Sequence, residues 1–196
     1  MGRLVPLRRV SGEMTELSVE ALLAACGIGD RAALGALFDR FHADVYRLVS
    51  RLPGVDVMAS DDIVQATFLR LPSTAAQFAG RSTVKTWILG IASNIARHHA
   101  RSEQRRRGPQ EVFAAARPVL AEQPDSHLER RQLLAGIADV LATLPHDQQV
   151  AFILCDVEQI PGVEVARIFD IPAGTLWRRL HGARKALRTE LAKRRA

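Results

Sequence analysis

A segment over residues 103–127 interrupts an otherwise nearly continuous series of helical hydrophobic patterns, and this break most limits how the chain can fold. It contains Gly108-Pro109, Pro118 and Pro124, which disfavour a helix, and its apolar side chains follow no helical period. We therefore predict a flexible linker between two small domains, residues 17–102 and 128–196. Residues 1–16 lack periodicity and are predicted to be a disordered tail.

The first domain is predicted to contain four helices. Ser18 and Asp30 can cap the first two, and Pro53-Gly54 ends the second. Ser60 is the predicted cap of the third helix, which Pro72 is expected to close. In the fourth helix the predicted buried side chains are Trp87, Ile88, Ile91, Ala92 and Ile95.

The second domain ends in a pattern typical of a helix-turn-helix. A short apolar stretch around 163–169 is followed by Asp170-Ile171-Pro172 and then by a long segment with a leucine stripe. Thr175 is the predicted cap of that second helix. No strand pattern competes with these helices, so the predicted fold class is all-α.

Positive charge is concentrated in two places. Residues 97–107 carry a net charge of +4 and residues 174–196 carry +7, although the whole chain carries only +6. The rest of the chain is therefore acidic. Two basic patches on an acidic protein predict two contacts with a polyanion, whereas the alternative is two solvated helix faces.

The fourth helix has a polar face opposite its core. Asn94, Arg97, His98 and Arg101 follow one another at helical spacing, and the preceding loop contains Phe78, Gly80 and Arg81. An aromatic group beside arginine and asparagine suits single-stranded DNA, whose unstacked bases can be stacked and hydrogen-bonded.

Other site chemistries have little support. His98-His99 cannot both face one metal ion, and His146-Asp147 resembles the dipeptide of metal phosphohydrolases but has no second His/Asp set. Cys26 and Cys155 are predicted to be core thiols of a reduced, cytoplasmic protein. No apolar run approaches the ~18 residues of a membrane span, and no catalytic residue, metal or cofactor is predicted.

Several segments resemble the sigma-70 superfamily, and more narrowly its small extracytoplasmic-function (ECF) group. The resemblance rests on 60–71 (SDDIVQATFLRL), on Thr86-Trp87-Ile88 with 91–94 (IASN), on Leu144-Pro145, and on 172–176 (PAGTL) with 179–181 (RLH) and Ala183-Arg184. It implies a region 2 helical bundle over 17–102 and a region 4 helix-turn-helix over 128–196.

The resemblance implies a transcription initiation factor without catalysis, with three groups of site residues. Those expected to bind the clamp helices of the largest polymerase subunit are Asp61, Asp62, Gln65 and Arg70. Those expected at the −10 element are Phe78, Arg81, Ser82, Lys85, Trp87, Asn94, Arg97, His98 and Arg101. Those expected at the −35 element are Thr175, Trp177, Arg178, Arg179, His181, Arg184 and Lys185.

The implied partners are core RNA polymerase, including the flap of its second-largest subunit, promoter DNA as duplex and as melted strand, and an anti-sigma factor. A membrane-tethered anti-sigma factor would hold the protein at the membrane without inserting it. The chain departs from the family where Trp177 and Gly182 replace commonly basic residues and where Pro161-Gly162 replaces a Ser/Thr-bulky pair. A stand-alone helix-turn-helix regulator and a His-Asp metal hydrolase are the alternatives.

Overall fold

The computed structural model describes residues 17–115 and 128–193, and these residues form helices joined by short loops, without any strand. The helices are α1 (Val19–Gly27), α2 (Arg31–Val49), α3 (Val57–Thr74), α4 (Val84–Ala115), α5 (Leu128–Thr143), α6 (His146–Phe152), α7 (Gly162–Ile168) and α8 (Ala173–Lys193). A 3₁₀ turn (Ala75–Gln77) follows α3, and a π-helical turn (Ile153–Val157) extends α6. The all-α prediction is confirmed. None of the described helices is long and apolar enough to cross a bilayer. The predicted N-terminal tail lies outside the described residues.

Helices α1–α4 pack as a bundle around one apolar core. The first two caps are as predicted, because Ser18 Oγ accepts a hydrogen bond from the Ala21 amide at 3.1 Å and Asp30 Oδ1 accepts one from the Ala32 amide at 2.8 Å. The third cap was predicted wrongly. Asp56, rather than Ser60, caps α3, and its carboxylate accepts from the Ala59 amide at 2.8 Å.

Two further differences concern α3. Ser60 is buried inside the helix, where its hydroxyl donates to the Asp56 carbonyl at 2.8 Å. Pro72 does not close the helix, which continues to Thr74 with the proline inside it. Side chains help to satisfy the backbone carbonyls of the last helical turns, since Thr74 Oγ1 donates a hydrogen bond to the Arg70 carbonyl at 2.8 Å.

Helix α4 continues to Ala115 and therefore extends into the segment predicted to be a linker. Gly108-Pro109 lies inside this helix, so the expected break does not fall there. A proline removes one backbone hydrogen bond but does not prevent a helix that is already nucleated on its N-terminal side from continuing. The rest of the predicted linker, residues 116–127, lies outside the described residues.

Helices α5–α8 form the second bundle, which ends in the predicted helix-turn-helix. The turn between α7 and α8 passes through Asp170 at a positive φ of 50°, a conformation that Asp tolerates better than most residues. Thr175 is not the cap of α8, because the helix already begins at Ala173 and the Thr175 amide donates to the Pro172 carbonyl at 2.8 Å. Gln149 is buried, and its amide nitrogen donates to the Leu141 and Leu144 carbonyls at 3.0 and 2.8 Å.

The two bundles pack against each other, with α7 and the end of α6 against α2 and α4. One apolar cluster runs through both and joins Ile88 and Leu89 of the first to Leu154 and Val165 of the second. Gly90 allows the closest approach, since a β-carbon there would collide with the Ile168 side chain. The contact surface therefore includes the half of α4 that carries the predicted DNA-binding residues.

Candidate nucleic-acid and polymerase interface

The outer face of α3 carries all the predicted polymerase-binding residues. Asp61, Asp62, Gln65 and Arg70 are exposed, while Ile63, Val64, Thr67, Phe68 and Leu71 face the core. Among the described residues, neither Asp61 nor Asp62 has an ion-pair partner. These side chains are thus available to a protein partner.

Two apolar side chains on the same face were missed by sequence reasoning. Met58 is 76% exposed and Leu69 is 67% exposed. Together with Asp62 and Gln65 they are spaced by four, three and four residues, so the four side chains line one stripe. We call this stripe the α3 outer stripe. The signal was present in the sequence, because the helix has more bulky apolar residues than one core-facing stripe can use.

The loop before α4 is ordered by contacts within it and with the second bundle. The Phe78 and Trp87 rings meet edge to face with centroids 5.5 Å apart. The Thr83 amide donates to Glu164 Oε1 of α7 at 2.8 Å. Lys85 Nζ lies 2.9 Å from Asp44 Oδ1, whereas Arg81 is exposed.

The polar face of α4 is partly covered in this arrangement. Arg97 Nη2 donates to Asn94 Oδ1 at 2.9 Å, and its Nη1 lies 3.6 Å from Asp147 Oδ1 of α6. Arg97 Nε is buried without a hydrogen-bond partner. His98 and Arg101, further along α4, are exposed.

Asp147 joins the two predicted DNA-binding surfaces. Its second carboxylate oxygen, Oδ2, lies 2.7 Å from Arg179 Nη2 of α8. One carboxylate therefore neutralises an arginine predicted for the −10 element and another predicted for the −35 element. This pairing could not be predicted from the sequence, since it depends on how the two bundles meet.

His146 lies at the same junction, in a cavity of about 220 Å³ lined in part by Asn94 and Arg97. Its Nε2 is 3.3 Å from the Ser93 carbonyl oxygen, and its Nδ1 is buried without a partner. Burial lowers the pKa of His146, although the Ser93 carbonyl and Asp147 oppose that change. The neutral imidazole is therefore favoured where the two bundles meet.

A second ionic contact joins the bundles at Glu158. Its side chain is only 6% exposed and pairs with Arg51, which follows α2, and with Arg47 of α2 at 3.6 Å. The position of Glu158 just after the π-helical turn aims it at the end of α2. This contact was also absent from the sequence-based prediction.

The outer face of α8 holds most of the residues predicted for the −35 element. Trp177, Arg178, His181 and Lys185 are exposed, and Arg178 Nη2 donates to Thr175 Oγ1 at 3.1 Å. Arg184 lies further round the helix, where Nε and Nη2 donate to the two Asp156 oxygens at 2.9 and 2.6 Å. The leucines Leu176, Leu180 and Leu187 face the core and hold this surface in place.

The two bundles match two known protein families, one after the other along the chain. Residues 37–106 match Sigma-70 region 2, and residues 134–187 match Sigma-70, region 4. The chain belongs to the ECF group of the sigma-70 family. It is accordingly a sigma factor of transcription initiation, and region 2 and region 4 are the names used below for its two bundles.

Curated relatives agree with this assignment. The chain is 31% identical over 170 residues to the probable RNA polymerase sigma-C factor of Mycobacterium bovis, covering 87% of this chain and 89% of that protein. It is 29% identical over 181 residues to the ECF RNA polymerase sigma-E factor of Escherichia coli K12, covering 88% and 93%.

Two solved structures share the fold. CnrH, solved in complex with the cytosolic domain of CnrY, superposes with a TM-score of 0.62 at 21% identity, covering 89% of this chain and 97% of that one. The sigma factor RpoE of Bartonella quintana, solved with the anti-sigma factor NepR, gives 0.64 at 22% identity, covering 80% and 95%.

No described group of three or more His, Cys, Asp or Glu side chains is placed to hold a metal ion. His98-His99 and His146-Asp147 therefore belong to no such cluster. The contacts of His146 and Asp147 are with neighbouring protein groups, as described above.

Proposed function

We propose that this sigma factor binds core RNA polymerase through the α3 outer stripe, captures melted −10 DNA on the polar face of α4, and reads the −35 duplex with α8. The observation that carries the proposal is the position of these three surfaces on two bundles that match regions 2 and 4, with the α3 outer stripe and the outer face of α8 exposed and the polar face of α4 partly covered by region 4. Each surface has the chemistry that its ligand requires. The protein acts by binding alone, without a catalytic step, in the cytoplasm.

The α3 outer stripe suits a helical protein partner. Met58 and Leu69 supply apolar area at its two ends, and Asp62 and Gln65 between them supply directional polar contacts. An interface with an apolar anchor and a few polar groups gives both affinity and register. The clamp helices of the largest polymerase subunit are the partner that we assign to it.

Removing the polar part of the stripe tests this assignment. We expect Asp62→Ala combined with Gln65→Ala to weaken co-elution with core polymerase at least about tenfold, as for loss of ~1.4 kcal/mol of binding. Glu20→Gln, an exposed change on α1, is the matched control. Unchanged affinity of the double variant would show that the polymerase binds elsewhere.

The polar face of α4 suits a melted strand. Asn94 can hydrogen-bond a base edge, and Arg97 and Arg101 can hold neighbouring phosphates. Asp147 already occupies Arg97, so DNA phosphate must displace this carboxylate before the arginine can bind it. The −10 interaction therefore requires region 4 to move away from α4.

Asn94→Ala tests the −10 assignment. We expect it to impair promoter opening, measured as permanganate reactivity of melted thymines, while core binding stays intact. Asn94 packs only partly into the protein, so the variant keeps the α4 core. Loss of core binding by this variant would show that the face is misplaced.

We also propose that an anti-sigma factor covers these surfaces when the protein is inactive. The solved complexes of CnrH with CnrY and of RpoE with NepR support this inference, since both proteins share the fold of this chain. A partner isolated from the source cells should abolish co-elution with core polymerase in a stoichiometric titration. A partner that leaves core binding unchanged would have another role.

The first discriminating experiment is co-elution of the full chain with core polymerase, followed by run-off transcription from a promoter library. Bound complex and transcripts that share two upstream elements are the expected result. Retention of duplex DNA by the protein alone, with no binding to core, would instead support the stand-alone regulator.

A further inference from the structure

Trp177 occupies an unusual place on the outer face of α8. Its side chain is 48% exposed, and it lies beside the exposed Arg178. The resembling family commonly has a basic residue at this position. A large apolar group exposed on a surface proposed to enter the major groove calls for a ligand that it can bury against.

Gly162 at the start of α7 makes room for this indole. A β-carbon at position 162 would lie 2.8 Å from Trp177 Cη2 and 3.2 Å from Cζ2, so any larger residue would push the six-membered ring away. The two departures from the family pattern, Gly162 and Trp177, are thus two halves of one contact. This contact fixes the ring against α7 and limits its motion.

The second departure from the family pattern on α8, Gly182, faces α6. Gly182 has no side chain, and a β-carbon there would lie 3.1 Å from both Gln148 Nε2 and Oε1. The space is filled by an uncharged amide from α6. Trp177 therefore presents apolar area beside the exposed cations Arg178 and Lys185, and apolar area can contact the edge of a base but not a phosphate.

The thymine C5-methyl is the apolar group that base pairs display in the major groove. We propose that Trp177, held in place by Gly162, is a specificity-determining residue that recognises a thymine methyl in the −35 element. The inference rests on the proposed function of α8 as the −35 reader. It specifies which base this surface selects and by which atom.

Deoxyuridine tests the proposal, because it pairs as thymine does but lacks the methyl group. Transcripts are first selected from an upstream-randomised library with the full chain bound to core polymerase. Each thymine of the selected −35 element is then replaced singly by deoxyuridine. We expect one position to lose about fourfold in promoter binding, which corresponds to the ~0.8 kcal/mol of one buried methylene-sized group.

The Trp177→Arg variant identifies the side chain responsible. It should lose the discrimination between thymine and deoxyuridine at that position, and its DNA binding should depend more steeply on salt because it gains a phosphate contact. Gly162→Ala should weaken the same discrimination by displacing the ring. Co-elution with core polymerase and an unchanged thermal midpoint show that each variant is folded.

The outcomes separate the inference from the function on which it rests. Equal sensitivity of the wild type and Trp177→Arg to deoxyuridine at every position would overturn the inference, as would a selected −35 element without thymine. Transcription would continue in either case. Absence of any transcript with the core complex would instead overturn the proposed function itself.

Discussion

Neutralising Glu158 should loosen the packing of region 4 on region 2. The side chain is 6% exposed and faces Arg51 and Arg47, whose side chains are 27% and 46% exposed. Glu158→Gln keeps the shape of the side chain and removes its charge. Both arginines then lose a carboxylate partner across the boundary between the bundles.

The free-energy cost of Glu158→Gln follows from how deeply the paired side chains are buried. Breaking a fully buried ion pair costs about 3–5 kcal/mol, because one charge is left without compensation. Here the two arginines that remain can turn to water, and Arg47 keeps Asp44 at 3.1 Å. We therefore expect a cost of about 1–2 kcal/mol, which lowers the ratio of packed to separated bundles about five- to thirtyfold.

Small-angle X-ray scattering measures this change as an increase in the radius of gyration, and thermal unfolding measures it as a lower midpoint. The charge swap Arg51→Glu with Glu158→Arg should recover part of both values, since it restores opposite charges across the contact. Identical scattering and midpoints for wild type and Glu158→Gln would refute the reasoning. A swap no better than its single variants would do the same.

Two further predictions concern the junction around Asp147. Asp147→Asn should raise affinity for duplex DNA several-fold at low salt, because two arginines are released from its carboxylate. A filter-binding titration measures this affinity. An unchanged dissociation constant would argue that DNA displaces the carboxylate at no cost. Burial lowers the pKa of His146, so the packed state binds fewer protons than the separated one. The contribution of His146 to the stability of the packed state is therefore complete above the ordinary histidine pKa of about 6.5, and it falls as the pH drops below that value. The thermal midpoint should decrease from pH 7.5 to pH 5.5, and His146→Gln should remove that part of the decrease; an equal slope in the variant would assign it to other groups.

The helices could be predicted from the sequence because their signals are local. The caps Ser18 and Asp30 and the leucine stripe of α8 act within a few residues of chain, and all three lie as expected. The errors at Ser60 and Pro72 have a common cause. Both residues suit a helix end, but the core contacts of α3 continue past them, and the helix extends from Val57 to Thr74 with Asp56 as its N-cap.

The extent of α4 could not be predicted for a different reason. The hydrophobic period stops near residue 102, whereas the helix continues to Ala115. A hydrophobic pattern carries no information about where a helix ends once the pattern itself has stopped. The helix therefore extends further along the chain than the hydrophobic pattern indicates.

The sequence indicated which residues belong to the predicted sites, but not which of them contact one another. Resemblance and spacing identify Arg97 and Arg179, yet neither indicates that Asp147 lies between them. For the acidic residues at the junction, Glu158 and Glu164 among them, the sequence predicts only that they contribute to the net negative charge outside the two basic patches. Their role becomes visible only when region 4 is placed against region 2.

The packing of region 4 against region 2 gives the uneven charge distribution along the chain a physical consequence. Both basic segments that suit DNA contain an arginine that Asp147 of region 4 neutralises, Arg97 across the boundary between the regions and Arg179 within region 4. A carboxylate such as Asp147 is a weaker partner for two arginines than a run of phosphates, because it offers one charge where a duplex offers one every ~1.7 Å. Arg97 can therefore help to hold the two regions together in the free protein and release region 4 when it binds a promoter.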